Sequence, residues 1–259
     1  MTAPLDVIDL EHRAYGEVLE LQRSLRLARL DGSLPHDLLL LVEHDPVYTL
    51  GRGTRETSLP LTSAALRARG ADVVEIERGG DVTWHGPGQL VGYPILHLSR
   101  HREDLHWYLR TLEQALIDGL GELDIPAGRN PGRTGVWTRG RKIASIGIHV
   151  KQWVTLHGFA LNVSPDLAWF DAIIPCGIQG VEMTSVRREG DFGESDAELW
   201  RRTIGAVVAS FGRSFGLEPG PVTASPWLDA ATSSAARAPH DDGRGTFATL
   251  AIAPPTGNP

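Results

Sequence analysis

The chain has 259 residues, 41% hydrophobic and 22% charged, which is enough for one sizeable globular domain or two small ones. Its formal net charge of −7 makes it a poor general binder of nucleic acid, and no window approaches the roughly 18 apolar residues of a membrane span. With a single cysteine, the chain cannot be a disulfide-bonded scaffold or hold a Cys-x-x-Cys zinc site.

The first third of the chain predicts alternating helices and strands. Residues 1–9 lack the basic region and long apolar run of a signal peptide, so we expect a cytoplasmic protein. Leucines among charges predict an amphipathic helix over residues 13–30, and the apolar run 38–42 predicts a buried strand. Residues 47–50 then lead into a glycine turn, followed by a short helix at 63–69 and a strand at 72–77.

The densest glycine stretch of the chain is Arg78-Gly-Gly-Asp-Val-Thr-Trp-His-Gly-Pro-Gly-Gln89. A phosphate-binding loop needs a helix N-terminus after its glycines, but here a strand-like run, 90–98, follows. Two interpretations remain. The stretch is either a loop whose backbone approaches a ligand, with Arg78 and His85 beside it, or a plain hairpin connection.

A long amphipathic helix is predicted over residues 104–123, where the leucines and Tyr108 share one face. The following segment, 129–142, carries no acidic residue and five basic ones, which are Arg129, Arg133, Arg139, Arg141 and Lys142. We interpret this segment either as a solvated loop or as a docking surface for an acidic protein partner.

Two strands joined near residues 152–153 are predicted over residues 142–163, and each has one face of small residues. These are Ser145 and Gly147 in the first strand, and Gly158 and Ala160 in the second. On the same side of a sheet, they would leave a slot in which a slender apolar chain lies against bare backbone. Close packing of a helix onto small residues explains the pattern equally well.

The only cysteine, Cys176, stands between a proline and a glycine, a turn that displays its thiol. The thiol is therefore a candidate nucleophile, with a buried filler or a stray thiol as the alternatives. Lys142 and Lys151 are the only lysines among 25 basic residues. Because lysine can lose its proton in a protein and arginine cannot, each is a candidate proton carrier, unless it has survived by chance.

The last predicted helix covers residues 195–215, and Ser195 with Glu198 forms a predicted capping box at its start. From about residue 218 the composition shifts to Pro, Ala, Ser, Thr and Gly. We therefore expect one domain over residues 1–220 and a loosely ordered tail over 221–259, with a short strand or docking segment at 247–252.

Taken together, several motifs resemble those of the lipoyl(octanoyl) transferase family, also called the lipoate-protein ligase B family. They are the stretch 78–89, Lys142-Ile-Ala-Ser-Ile-Gly147, His157-Gly-Phe-Ala-Leu-Asn162, Ile174-Pro-Cys-Gly177 and an early motif from Asp45-Pro46 to Gly51-Arg52. The landmarks span residues 43–188, and the tail after 220 lies outside the resemblance. The resemblance implies an α/β (α+β) fold like the biotin and lipoate protein ligase catalytic domain. That fold is a single domain with a mixed, mostly antiparallel sheet and flanking helices.

The resemblance also implies transfer of an octanoyl group from octanoyl-acyl carrier protein to a lysine of a lipoyl domain, without ATP. The acceptors would be E2 subunits of 2-oxo acid dehydrogenases and the H protein of glycine cleavage. Carried over by position, Cys176 would be the acyl-thioester nucleophile, and Lys142 would lower its pKa and act as acid and base. The substrate pocket would consist of Arg78, Gly79, Gly80, Asp81, Val82, Thr83, Trp84, His85, Ser145, Ile146, Gly147, Gly158, Phe159 and Ala160.

Other expectations complete this picture. Auxiliary roles are expected for His149, Asn162 and Gly177. We expect a monomer with no metal, no bound cofactor, no nucleic acid and no membrane, since phosphopantetheine arrives on the donor protein. The rivals are an ATP-dependent lipoate or biotin ligase on the same fold, a non-catalytic carrier-binding module, and a cysteine hydrolase with His85 or His149 as base.

Overall fold

The computed structural model of the chain describes residues 2–174 and 180–223. Its strands are β1 Ala3–Arg13, β2 Asp37–His44, β3 Val47–Leu50, β4 Asp72–Glu75, β5 Thr83–His85, β6 Gln89–Ile95, β7 Gly128–Asn130, β8 Arg133–Thr138, β9 Arg141–Lys151, β10 Val154–Asn162 and β11 Leu217–Pro219. Its helices are α1 Tyr15–Asp31, α2 Ser63–Ala68, α3 Leu105–Gly121, α4 Val186–Glu189 and α5 Asp196–Phe215, with 3-10 turns at Glu56–Ser58, Leu98–Arg100 and Leu167–Ala172. Cys176, Gly177 and the segment 247–252 lie outside the described residues.

Eight of the described strands form one sheet in the order β11-β1-β2-β6-β10-β9-β8-β7. The pairs β11–β1 and β1–β2 are parallel, and the other five pairs are antiparallel. A smaller sheet has the order β4-β3-β5. The expected α/β class, with a mixed and mostly antiparallel sheet and flanking helices, is confirmed.

Both faces of the large sheet are covered, which explains why the middle of β2, residues 38–42, is apolar on both faces. Leu39 and Leu41 of β2 face α3 and α5, whereas Leu38 and Leu40 face α1. A third apolar cluster surrounds Trp84 beneath the small sheet. No helix within the described ranges is long and apolar enough to cross a membrane.

The long helices occur where the sequence predicts them, and local side chains fix their ends. The Asp104 carboxylate caps α3 by accepting from the backbone N–H groups of His106 and Trp107. Ser195 and Glu198 form the predicted capping box of α5. Gly32 ends α1 in the left-handed conformation, with φ of 86°.

Two parts of the chain differ from the prediction. Strand β1 was not predicted, although it lies inside the sheet between β11 and β2. The loop interpretation of residues 129–142 was wrong, because β7, β8 and the start of β9 form adjacent antiparallel strands there.

The backbone beyond β11 still pairs with β1, since the N–H of Thr223 donates to the carbonyl of Val7 at 3.1 Å. The domain boundary at residue 220 stays a prediction.

The basic segment 129–142 presents fewer unpaired positive charges at the surface than its composition indicates. Glu113, which is 1% exposed, accepts from Arg129 at 3.0 Å. Buried Glu189 accepts from Arg139 at 2.8 Å and from Arg141 at 2.9 Å. Three of the five basic side chains are therefore engaged by buried glutamates, which weakens the interpretation as a docking surface.

Candidate active site

Lys142 is the second residue of β9, and its side chain is only 2% exposed. Its backbone N–H donates to the carbonyl of Glu182 at 2.8 Å, and its carbonyl accepts from the N–H of Thr184 at 2.9 Å. Lys142 is therefore held against residues 182–184, which begin six positions after Cys176 in the sequence. Cys176 lies outside the described residues, so its proximity to Lys142 stays a prediction.

Four aromatic side chains form a buried cluster on the α1 side of the sheet. Tyr15 from α1 stacks on His85, with ring centroids 5.9 Å apart. His44 from β2 lies between them and Tyr93 of β6, with centroid separations of 5.1 Å to Tyr15 and 5.9 Å to Tyr93. Of these four residues, the sequence identified only His85.

The hydrogen bonds of His44 fix its tautomer. Its Nδ1 lies 2.9 Å from the carbonyl oxygen of Arg13, which can only accept, so Nδ1 carries the proton. Its Nε2 then accepts from the hydroxyl of Tyr93 at 2.9 Å. Burial lowers the pKa of His44 to about 4, so the ring is neutral at pH 7.

His85 is held in the same way by a chain of side-chain amides. Gln89 donates to the Asn162 oxygen at 2.9 Å, and Asn162 donates to the carbonyl of Thr184 at 2.9 Å. Gln89 therefore presents its oxygen to Nδ1 of His85 at 2.7 Å, which leaves Nε2 as the basic nitrogen. Burial, with a further contribution from His44, lowers the pKa of His85 to about 3.

This amide chain joins two predicted site motifs. Thr184 accepts from Asn162 through its carbonyl and donates its own N–H to Lys142. A continuous path of contacts therefore runs from His85 in the glycine-rich stretch to the backbone of Lys142. Asn162, expected as an auxiliary residue, is the link in the middle.

The glycine-rich loop is organised by Arg78, which is 7% exposed. Its guanidinium donates to the carbonyls of Thr49 at 2.7 Å, Asp81 at 2.6 Å and Gly79 at 3.1 Å. The N–H of Gly79 in turn donates to the carbonyl of Ile148 at 2.9 Å, which holds the loop against β9. Arg78 thus shapes the loop from inside rather than projecting into solvent.

The other loop side chains divide between two environments. Asp81 accepts from the Ser58 hydroxyl at 2.5 Å, which fixes the loop. Val82 and Trp84 point into the third apolar cluster, where Trp84 stacks on Trp169 with centroids 5.9 Å apart. Thr83 is half-buried on β5, whereas His85 alone of the stretch joins the aromatic cluster.

The small residues of β9 and β10 do share one face. Gly147 pairs with Gly158, and Ser145 pairs with Ala160. The face is covered by Arg78 over Gly147 and by α1, whose buried residues share an apolar cluster with Ala160. A Cβ on Gly147 would lie 2.9 Å from Cδ of Arg78, and one on Gly158 would lie 2.2 Å from the carbonyl oxygen of Gly92. The two glycines therefore permit the close approach of Arg78 and of the neighbouring strand β6, and the slot for an apolar chain stays a prediction.

Ile146 and Phe159, both expected in the pocket, have side chains on the opposite face. They pack into the apolar core shared with α3 and α5. Gly92 makes room for the ring of Phe159, because a Cβ there would lie 2.1 Å from Cζ. Alternation along a strand places these two side chains on the face opposite the small residues, and their membership of the substrate pocket stays a prediction.

A second buried polar group, also missed from the sequence, surrounds His157. Its φ is 58°, its side chain is 2% exposed, and its N–H donates to the side chain of Gln22 at 2.9 Å. Its Nε2 lies 4.0 Å from Glu77, which accepts from Arg23 at 2.9 and 3.1 Å. Burial lowers the pKa of His157 to about 3.

The charges of Glu77 and His149 follow from the same surroundings. Burial alone would raise the pKa of Glu77, but hydrogen bonds from Arg23 and the charge of His157 bring it to about 2. Burial lowers the pKa of His149, the other auxiliary candidate, so it too favours the neutral form.

Comparison with known proteins identifies the family of this chain. A model of the lipoyl protein ligase A/B catalytic domain family matches residues 14–207. The octanoyltransferase of Geobacter sulfurreducens is 52% identical over 207 residues, covering 80% of this chain and 83% of that protein. The octanoyltransferase of Gloeobacter violaceus is 47% identical over 213 residues, covering 81% of this chain and 90% of that protein.

The fold also matches a solved structure. A chain from a structural study of a bi-partite lipoate protein ligase and its E2 lipoyl domain from Thermoplasma acidophilum superposes with a TM-score of 0.68 at 15% identity. The match covers 91% of this chain and 93% of that one. The chain therefore belongs to the octanoyltransferase family, acyltransferases built on the lipoyl protein ligase A/B catalytic domain.

Proposed function

We propose that this chain transfers an octanoyl group from octanoyl-acyl carrier protein to a lysine of lipoyl domains, through a thioester on Cys176. The observation that carries the proposal is the burial of Lys142 against residues 182–184, which follow Cys176 closely in the sequence. An ammonium held next to a thiol stabilises the thiolate, which is the nucleophilic form.

The first half-reaction exchanges one thioester for another. The Cys176 thiolate attacks the carbonyl carbon of the donor thioester, the C–S bond to phosphopantetheine breaks, and Lys142 gives a proton to the departing thiol. Because one thioester replaces another, the step is nearly neutral in free energy and needs no ATP. Lys142 is left as a neutral amine.

The second half-reaction makes an amide. The ε-amine of the acceptor lysine attacks the Cys176 thioester, and neutral Lys142 takes the proton that this amine must lose. The C–S bond then breaks and Cys176 leaves as the thiolate, paired again with the Lys142 ammonium. Arginine could supply the charge at this position but not the proton transfer.

The neutral histidines have a supporting part in this proposal. His85 keeps a basic Nε2 while its Nδ1 is held by Gln89, so it can accept a hydrogen bond from a substrate amine or a water. Arg78 gives the glycine-rich loop a fixed shape, so that backbone N–H groups of the loop can face the pantetheine arm or the acyl group.

The partners and the compartment belong to the same proposal. The acceptors are lipoyl domains of E2 subunits and the H protein of glycine cleavage, and the enzyme acts as a monomer without a bound cofactor. A thiol that must stay reduced to act as a nucleophile favours the cytoplasm.

The test is an acyl-transfer assay with purified octanoyl-acyl carrier protein and an unmodified lipoyl domain. We expect the acceptor to gain one octanoyl group per lysine without ATP, and to gain none from free octanoate with or without ATP. Transfer that requires ATP and the free acid would assign the chain to the ligases. Release of free octanoate without an acceptor would make it a thioester hydrolase.

A further inference from the structure

Gly135 on β8 lies directly against the side chain of Lys142. A Cβ on Gly135 would stand 2.8 Å from Cε and 3.5 Å from Nζ of Lys142, and 2.6 Å from the carbonyl oxygen of Ala144. Carbon atoms do not approach that closely without displacing one another. The lysine side chain therefore occupies the space that any other residue at position 135 would need.

The conformation of Gly135 is not that of an ordinary turn glycine. Its φ is 121°, and it lies within β8 rather than at the end of a hairpin. Gly132 and Gly140, which flank this strand, also have positive φ, but a Cβ on either would have nothing within 4 Å. Gly132 and Gly140 allow the positive φ that the turns need. Gly135, by contrast, leaves the space that the side chain of Lys142 occupies.

A buried carboxylate holds the backbone of Gly135 in place. Oε1 of Glu113, on α3, accepts from the N–H of Gly135 at 3.2 Å. Its Oε2 accepts from Arg110 at 2.6 Å and from Arg129 at 3.0 Å, which offset the charge of a side chain that is 1% exposed. Glu113 thus joins α3 to the part of β8 that faces Lys142.

Trp137 bounds the lysine on another side. It is the partner of Lys142 across β8 and β9, and the register shifts between Val136 and Trp137. Such a shift re-aims side chains near functional sites. Nζ of Lys142 lies 5.8 Å from the Trp137 ring centroid, within the range of a cation–π contact, and the indole is 6% exposed.

We propose that Gly135, Trp137 and Glu113 are positioning residues that determine where the Lys142 amine stands, an inference that rests on the proposed role of Lys142 as the acid and base for Cys176. None of the three needs to touch substrate. They act by confining the Lys142 side chain between the backbone of Gly135 and the ring of Trp137. A displacement of about 1 Å at such a group is enough to cost up to a hundredfold in rate.

The test uses the fact that Cys176 is the only thiol in the chain, so iodoacetamide alkylation reports on it alone. The alkylation rate is measured from pH 5 to pH 10 for the native chain, Gly135→Ala, Gly140→Ala and Lys142→Met. We expect Lys142→Met to raise the apparent pKa of the thiol by about one unit or more, and Gly135→Ala to raise it by a large part of that shift. Gly140→Ala carries the same substitution at a positive φ without the contact, and should match the native chain.

The outcomes test the positioning role of Gly135 and the proposed function separately. If Lys142→Met raises the thiol pKa and Gly135→Ala does not, the positioning role is wrong and the proposed function stands. If Lys142→Met leaves the thiol pKa unchanged, Lys142 does not act on Cys176, and both the inference and the proposed role of the lysine are wrong.

A second variant serves if Gly135→Ala does not fold. Trp137→Leu removes the ring face from Lys142, and Trp200→Leu on α5 is the matched loss of a partly buried tryptophan. We expect Trp137→Leu to raise the apparent thiol pKa and to reduce alkylation at pH 7 about threefold or more, with Trp200→Leu near the native value. Equal behaviour of the two variants would contradict the proposal.

Discussion

At the scale of single residues, burial decides what each ionisable group can do. His44, His85 and His157 are all nearly enclosed, and burial lowers the pKa of each to about 3 or 4. Neutral imidazoles of this kind accept hydrogen bonds but carry no charge that would stabilise a thiolate. In the proposed mechanism the positive charge for Cys176 therefore comes from a residue of another type, the buried Lys142.

Substitution of Lys142 tests this division of roles. We expect Lys142→Met, which keeps a side chain of similar length, to lower kcat for octanoyl transfer by a factor of about 10² to 10⁴, because it removes a general acid and base. Lys151→Met provides the matched control, since it removes the only other lysine. The measurement is steady-state transfer to a lipoyl domain. Similar kcat values for both variants would contradict a catalytic role for Lys142.

At the scale of secondary structure, the sequence predicts elements whose signals are local. The helices α1, α3 and α5 carry their apolar faces and caps within about 20 residues, so each could be located without knowledge of its neighbours. Strand β1 could not, because its pairing depends on β2 and on β11, more than 200 residues away. The strands within 129–142 were hidden because the glutamates that offset Arg129, Arg139 and Arg141 lie on distant elements. These glutamates are Glu113 on α3 and Glu189 on α4.

The candidate site, like the fold, could be predicted only where its signals are local in the sequence. Lys142 and the stretch 78–89 stand out along the chain, and both contribute to the buried site. Tyr15, His44 and Tyr93 come from three separate elements, so nothing in the local sequence links them to His85. Strand alternation correctly predicts that the side chains of Ile146 and Phe159 face away from the small residues. They were assigned to the pocket only because the resemblance covers whole motifs and not single side chains.

The cap of α5 gives a test of stability at this scale. Ser195→Ala removes the hydrogen bond that the Ser195 hydroxyl accepts from the N–H of Glu198, while the backbone N–H of residue 195 can still donate to the Glu198 carboxylate. We expect this loss to lower the free energy of unfolding by about 1 kcal/mol. For a domain of this size that is a fall of about 2–4 °C in Tm. Ser24→Ala, within α1, is the control, because a serine inside a helix contributes little. An equal fall in Tm for both variants would contradict the role of the cap.

At the scale of the whole molecule, the sheet brings together residues that are far apart in the sequence. Strands β6, β10 and β9 are neighbours, so the end of the glycine-rich stretch, the 157–162 motif and the 142–147 motif lie side by side. The amide chain from His85 to Thr184 crosses these strands within the same layer. The fold thus supplies a shared, buried polar layer.

The buried histidines make the stability of the fold depend on pH. The pKa of His157 is about 3 in the folded chain and about 6.5 when unfolded, so between these values the unfolded state binds more protons. Stability is therefore full above about pH 6.5 and is lost as the pH falls toward 3, and His44 and His85 act in the same direction. Glu77 adds a further loss only below its unfolded value near 4.5, toward its folded pKa of about 2.

The variant His157→Asn tests the origin of this slope, because asparagine tolerates the positive φ at this position. Between pH 6 and pH 4 we expect the free energy of unfolding to vary less steeply, by about 1.4 kcal/mol per pH unit at most. Urea unfolding at each pH measures it. His106→Asn, at an exposed position on α3, is the matched substitution. An equal reduction of the slope in both variants would contradict burial of His157 as its cause.

The most direct test of the central claim is the intact mass of the protein after mixing with octanoyl-acyl carrier protein in the absence of ATP, beside the variant Cys176→Ser. We predict an octanoyl adduct on the native chain that hydroxylamine removes, as it does a thioester, and no such labile adduct on the variant. An unmodified native chain that becomes active only with ATP and free octanoate would contradict transfer through a thioester and leave Cys176 without a role in it.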